Sequence, residues 1–253
     1  MKVLVTSAAY GQPAMKENIK YLESFAEVVM KAQPEPLTKE EIQKYWEGCD
    51  GIIAGLEWYT QEMFTKAPKS LKVISRYGVG CEHVDISAAN RAGIAVTNTP
   101  GANAKAVAEL AVTHMLVLGR QIITMDSNTR AGKWIRPMGN GLDGRMLGLI
   151  GYGAIGKQVA RMVKGFGMGV MIYDPYADTG TAQKEGVETA DNLDELYRHS
   201  DIISLHVPET EKTRHMINRE SIHKMKEGVC IINAARGGLI DMEALEEASY
   251  QAG

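Results

Sequence analysis

Cysteine is scarce: Cys49, Cys81 and Cys230 are the only three in 253 residues. They are odd in number, far apart and never in a Cys-x-x-Cys pair, which argues against a disulfide framework and a zinc site and predicts a reducing compartment. Positive charge is not in surplus either. Lys plus Arg number 28 against 31 Asp plus Glu, a net charge of −3, so there is no electrostatic footprint for nucleic acid or an anionic membrane. Long apolar runs are missing too: Met1-Lys2 leads straight into Val3-Leu4-Val5, too short for a signal peptide, and the most apolar helical stretch is interrupted by Glu109 and His114. These absences predict a cytoplasmic protein that acts on small molecules, with no nucleic-acid or membrane partner. At 45% hydrophobic and 23% charged residues the chain can build one large or two modest cores.

What is present is a glycine pattern in a telling frame. Leu149-Ile150-Gly151-Tyr152-Gly153-Ala154-Ile155-Gly156 ends an apolar run, residues 157–166 have helical periodicity, and Val170-Met171-Ile172-Tyr173-Asp174 follows as a second apolar strand. A lone GxGxxG is weak, but inside strand, helix and strand it is a dinucleotide fingerprint. Gly151 permits the tight turn, Gly153 lets the backbone approach a pyrophosphate and Gly156 lets helix and strand pack closely. The helix start at Ala154 and Ile155 supplies unpaired N–H groups and a positive dipole end. Asp174 lies about 18 positions beyond Gly156, where a carboxylate accepts hydrogen bonds from a ribose diol and repels a 2′-phosphate. The expected cofactor is NAD rather than NADP.

Short apolar runs and amphipathic stretches alternate through the first hundred residues, with strands expected near 3–5, 27–30, 51–54, 71–75 and 94–97 and helices at 15–25 and 39–46. That alternation predicts a parallel sheet with helices on both faces, in a domain of residues 1–99 that ends near Asn98-Thr99-Pro100-Gly101. Residues 103–120 are apolar on nearly every side, which predicts a helix buried all round that carries the chain into a second domain, 100–253. A polar connection at 128–144 precedes the fingerprint. Beyond Asp174 a short helix is expected at 193–198, buried strands at 202–207 and 229–233, and a last helix opened by Asp241 as N-cap and running to about residue 252.

Five ordered blocks resemble one family. They are Arg76-Tyr77-Gly78-Val79-Gly80 with His83-Val84-Asp85; Asn98-Thr99-Pro100-Gly101 with Val107-Ala108-Glu109; the glycine fingerprint; His206-Val207-Pro208 with Thr213; and Asn233-Ala234-Ala235-Arg236-Gly237-Gly238. Together they resemble the D-isomer-specific 2-hydroxyacid dehydrogenases, the branch with phosphoglycerate, glyoxylate and hydroxypyruvate dehydrogenases. The resemblance implies an α/β protein of two domains: a flavodoxin-like substrate domain and a Rossmann-type, doubly wound NAD-binding domain whose last part is missing here. It further implies a 2-hydroxy or 2-oxo acid substrate between the two domains and a homodimer in the complete protein.

The residues support individual roles. The turn at Gly78-Val79-Gly80 can point backbone N–H groups, those of Val79 and Gly80, at a substrate carboxylate. Arg236 emerges from the 229–232 strand at the carboxyl edge of its sheet, where open α/β folds bind ligands, and the resemblance gives it the role of orienting the 2-oxo acid and polarising its carbonyl. Arg76 and Asn103 are weaker substrate-side candidates, and for Asn103 a helix N-cap role competes equally. The resemblance places His206, Val207, Pro208, Thr213, Ala234, Ala235 and Arg236 on the cofactor, His206 by contact only. The remaining histidines, at 83, 114, 199, 215 and 223, have no partner pattern and are read as structural.

Oxidising a secondary alcohol needs a group that takes the hydroxyl proton. In the family this is a His with a Glu partner, and no segment of residues 241–253 matches either, so the chain is expected to lack the acid–base pair and to be a truncated member. The competing expectation is a non-catalytic NAD-binding module, similar to the family's corepressor-like relatives.

Overall fold

The computed structural model describes residues 1–251, with the side chains of the last two left undescribed. It divides into two compact units, residues 1–103 and residues from 104 onward, four positions beyond the boundary expected at 99. Unit 1 contains β1 (Lys2–Val5), α1 (Lys16–Glu23), β2 (Glu27–Met30), α2 (Lys39–Tyr45), β3 (Gly51–Ala54), α3 (Gln61–Phe64), β4 (Val73–Arg76), α4 (Ile86–Arg91) and β5 (Ala95–Thr97). Its five strands pair in parallel in the order β2-β1-β3-β4-β5, the flavodoxin-like arrangement. The central strands are apolar runs because helices cover both faces. Leu4, Ile52 and Ile74 pack with Ile42, Trp46 and Met63 in one cluster, while Val3, Val5 and Leu22 form another. Helix α2 starts where it does because Thr38 and Glu41 form a reciprocal capping box.

Unit 2 contains α5 (Ala104–Gly119), α6 (Ile122–Arg130), β6 (Met146–Ile150), α7 (Ala154–Lys164), β7 (Gly169–Tyr173), α8 (Thr179–Lys184), β8 (Glu188–Thr189), α9 (Leu193–His199), β9 (Ile202–Leu205), α10 (Arg219–His223), β10 (Cys230–Asn233) and α11 (Met242–Gln251). The strands again pair in parallel, in the order β10-β9-β6-β7-β8. The chain starts at β6, winds out through β7 to β8, then crosses back to β9 and β10. This is the doubly wound Rossmann arrangement through its fifth strand, with the topological switch point between β6 and β9. Alternation within each strand builds the two cores. Leu147, Leu149, Val170 and Ile172 meet Ala108, Ala111, Met115, Val159 and Val163 on one face. Ile150, Met171, Ile203 and Leu205 meet Leu196 and Leu239 on the other.

Three expectations need correction. Helix α5 is not buried all round. Ala104, Ala108, Ala111, Val112 and Met115 form its buried face, packed on α7 and β10, whereas Lys105, Glu109, Thr113 and His114 are exposed along with Leu110 and Leu118. The apolar outer positions suggested burial, but no described element lies over them. Ile122, Ile123 and Trp134 are exposed as well, the last at 85%. Second, the connection at 128–144 begins inside a helix, α6, whose Arg130 and Asp126 pair at one-turn spacing. Third, the 202–207 strand stops at Leu205: the ladder ends with the His206 N–H on the Ile150 carbonyl, and Pro208 has no N–H to extend it. The last helix is opened by Asp241 as expected, its Oδ1 accepting from the N–H of Glu243 and Ala244. The expected end at residue 252 lies outside the described residues.

Candidate functional site

The switch point of unit 2 gathers the fingerprint. Gly151 leaves β6 at φ +99°, in the region glycine tolerates, and a Cβ there would stand 2.6 Å from the His206 carbonyl oxygen. A Cβ on Gly156 would overlap the Gly151 carbonyl oxygen, so α7 can lie this close to its own strand only with glycine at that position. Gly153 differs. Its φ of −77° is open to any residue, and a Cβ there would meet nothing within 4 Å. The open space over Gly153 faces the start of α7, where the first intrahelical bond is Lys157 N–H to the Gly153 carbonyl. The Ala154, Ile155 and Gly156 N–H groups are therefore available to an anion. Asp174 completes the cradle: its Oδ2 accepts from Tyr152 N–H at 2.8 Å and its Oδ1 from Tyr176 N–H at 2.9 Å. Each oxygen keeps a lone pair for a ribose hydroxyl. These residues fit a dinucleotide.

Across the switch point, His206 leaves β9 with Nε2 2.9 Å from the hydroxyl of buried Ser204, two positions back on the same strand face. Its Nδ1 is buried without a hydrogen-bond partner. Burial pushes its pKa down from 6.5 to about 4, so the ring is neutral at physiological pH. The unfolded chain therefore binds the extra proton between these values. Stability from this group is fully present above pH 6.5, falls as pH drops towards 4, and changes no further below that, for a total of about 3 kcal/mol. Urea unfolding at pH 7 and pH 5 should show about 2 kcal/mol of this loss in the wild type and a smaller loss in His206→Gln. A ring that titrates near 6.5 by NMR would contradict it. Val207 and Pro208 follow, and the Thr213 hydroxyl closes their loop by donating to the Pro208 carbonyl at 2.7 Å and accepting from Thr210 N–H at 2.8 Å.

At the end of β10, Asn233 shapes the Arg236 loop. Its Oδ1 accepts from Ala235 N–H at 3.1 Å and its Nδ2 donates to the Arg236 carbonyl at 2.8 Å, while Arg236 Nη1 donates to the Ala235 carbonyl at 2.8 Å. Ala234, Ala235 and Arg236 thus sit on a loop held by one side chain.

In unit 1, the turn after β4 is braced by the Asn98-Thr99 block. Asn98 Nδ2 donates to the Val79 carbonyl at 2.6 Å, and Thr99 N–H and Oγ1 both donate to the Gly78 carbonyl. With its carbonyls held, the turn leaves the N–H groups of Val79 and Gly80 without a partner among the described residues. The Arg76 side chain folds back over Gly78, with Nη1 on the Tyr77 carbonyl. Asn103 is exposed and immediately precedes the first residue of α5. Asn98, Asn233 and Ser204 are the supporting residues that the sequence reading assigned no role. The signal for the first two was their place in the quoted motifs, and for Ser204 a polar residue in an otherwise apolar strand.

Residues 112–252 match the family model described as D-isomer specific 2-hydroxyacid dehydrogenase, NAD binding domain. The chain belongs to the D-isomer specific 2-hydroxyacid dehydrogenase family. Its second unit is an NAD-binding domain of that family. Among similar proteins, it is 42% identical over 252 residues to a D-3-phosphoglycerate dehydrogenase of Methanocaldococcus jannaschii, covering 98% of this chain and 46% of the relative. It is 44% identical over 220 residues to a hydroxypyruvate reductase of Thermotoga maritima, covering 86% of this chain and 71% of the relative. The chain thus spans about half the length of the phosphoglycerate dehydrogenase it matches. Among solved structures, NAD⁺-bound 3-phosphoglycerate dehydrogenase of Entamoeba histolytica superposes with a TM-score of 0.82 at 30% identity, over 99% of this chain and 77% of that one.

Proposed function

We propose that the protein is an NAD-dependent oxidoreductase of the phosphoglycerate dehydrogenase type, acting on the CH–OH group of a D-2-hydroxy acid. The observation that carries this reading is the Arg236 loop. Asn233 holds it at the carboxyl end of β10, on the same sheet edge as the dinucleotide cradle between β6 and β9. When bound, NAD supplies the hydride acceptor at the substrate C2. The chain's own residues bind and orient. The Val79 and Gly80 N–H groups hold the substrate carboxylate without a side-chain charge, and the Arg236 guanidinium orients and polarises the 2-oxo group through paired hydrogen bonds. Neutral, half-buried His206 packs on the cofactor side and adds no charge there.

The test is Arg236→Ala in the protein as expressed from its native gene. kcat/KM for the 2-oxo acid should fall by roughly 10² to 10³, with NADH affinity held within about threefold, and Arg236→Lys should restore only part of the loss. Equal losses in NADH binding and turnover would make Arg236 a cofactor or structural contact instead.

A further inference from the structure

Tyr152 stands in the middle of the glycine fingerprint, at the end of a run of buried residues, and is itself 3% exposed. Its ring belongs to the core cluster of Val159 and Val163 and lies under the first turn of α7, where a Cβ on Gly156 would come within 3.9 Å of its Cδ2. A phenylalanine would fill that space equally well. Packing therefore gives no reason for the hydroxyl, and a hydroxyl at the end of a buried ring needs a partner. Glu185 is that partner: the Tyr152 OH donates to its Oε2 at 2.8 Å. Burial, and then the Glu185 carboxylate, push the Tyr152 pKa up to about 12, so the hydroxyl remains a donor throughout the physiological range. Glu185 is in turn fixed from α7. Arg161 Nη2 donates to its Oε1 at 3.2 Å, and Lys164 Nζ donates to its backbone carbonyl. The hydrogen bonds from Tyr152 and Arg161 hold its carboxyl below the usual glutamate value.

The two ends of Tyr152 meet the two ends of one segment. Asp174 opens it directly after β7, and Glu185 closes it as the last cap of α8. The Tyr152 N–H donates to Asp174 Oδ2 at 2.8 Å while its hydroxyl holds Glu185, so a single residue clamps segment 174–185 at both ends. We propose that Tyr152 is a positioning residue for cofactor choice: through this clamp it keeps the Asp174 carboxylate aimed at the adenosine ribose of NAD. This rests on the reading of Asp174 as the acceptor of the ribose diol. Releasing the hydroxyl end leaves the segment free to shift at Asp174, and the two cofactors feel that differently. Paired hydrogen bonds to a diol depend on the aim of the carboxylate, whereas repulsion of a 2′-phosphate depends on distance. A general loss of packing would weaken both cofactors alike.

Calorimetric titration of the protein and three variants with NAD and with NADP tests this. Tyr152→Phe and Glu185→Ala should each weaken NAD by about fivefold, the scale of one hydrogen bond, and leave NADP within about twofold. Glu185→Gln keeps an acceptor oxygen for the hydroxyl and should hold both cofactors within about twofold of wild type. Glu185 is partly exposed, so its variants report even if Tyr152→Phe folds poorly. Unchanged NAD affinity in both Tyr152→Phe and Glu185→Ala, equal losses of NAD and NADP, or a glutamine variant as weak as the alanine would overturn the proposal while leaving the proposed function standing. Equal binding of the two cofactors by the wild type would overturn the reading of Asp174, and the inference with it.

Discussion

Gly156→Val should unfold unit 2, whereas Gly153→Val should leave it folded and unable to hold NAD. The two glycines are three residues apart in one motif, but the structure gives them different work. At Gly156 even a Cβ overlaps the Gly151 carbonyl oxygen. A valine must therefore push α7 off β6 and open the core in which Val159 and Val163 pack against Leu147 and Leu149, a cost of roughly 3 kcal/mol or more. At Gly153 a Cβ would meet nothing within 4 Å and the backbone is extended at a negative φ. Stability should stay within about 0.5 kcal/mol. The same atoms would fill the approach to the α7 N-terminus, and NAD affinity should fall by about a hundredfold or more, since the pyrophosphate loses its contact with the helix start. Thermal unfolding and NADH calorimetry on the two variants check this, and equal destabilisation by both would contradict it.

The second large effect concerns turnover. Neither His206 nor His199 is paired with a carboxylate: His206 meets a serine hydroxyl, and His199 Nδ1 meets the Glu195 backbone carbonyl. General acid–base assistance contributes roughly 10² to 10⁴ in rate, so the 253-residue chain should bind NADH yet reduce glyoxylate or hydroxypyruvate at least that much more slowly than a relative that holds such a pair. It should also self-associate, because among the described residues β10 lies at the edge of its sheet and Leu110, Leu118, Ile122, Ile123 and Trp134 expose apolar surface. NADH-dependent reduction at full rate by a chain that is monomeric in light scattering would contradict both parts. It would also exclude the alternative of an NAD-binding module that turns nothing over.

Much of this was legible in the sequence because the signals were local. The glycine fingerprint, Asp174 and the apolar strands each follow from spacing within twenty residues, and the structure brings them to one switch point. What escaped notice was short or depended on the surroundings. Helices α3, α4, α8 and α10 span four to six residues, too few to show periodicity. Three of them are fixed by individual caps, Asp85 on Ala88 N–H at α4, Asp178 on Gly180 N–H at α8 and Asn218 on Ser221 N–H at α10, and α3 has no side-chain cap. The exposed face of α5 was misread because apolar composition does not reveal which neighbours exist to cover it. The Tyr152 hydroxyl was missed for a related reason. A tyrosine between fingerprint glycines reads as apolar filling until the fold brings up Glu185, 33 positions along the chain.

The most direct test is a calorimetric comparison of NAD and NADP binding to the chain and to Asp174→Asn. Tyr152 and Tyr176 N–H groups fix the Asp174 carboxylate at the end of β7, where it accepts from a ribose diol and opposes a 2′-phosphate. NAD should bind on the order of a hundredfold tighter than NADP, and the asparagine should narrow the gap to about tenfold or less, mainly by improving NADP. Equal binding of the two cofactors by the wild type, or an unchanged gap in the variant, would contradict the assignment of the β6–α7–β7 cradle as an NAD site.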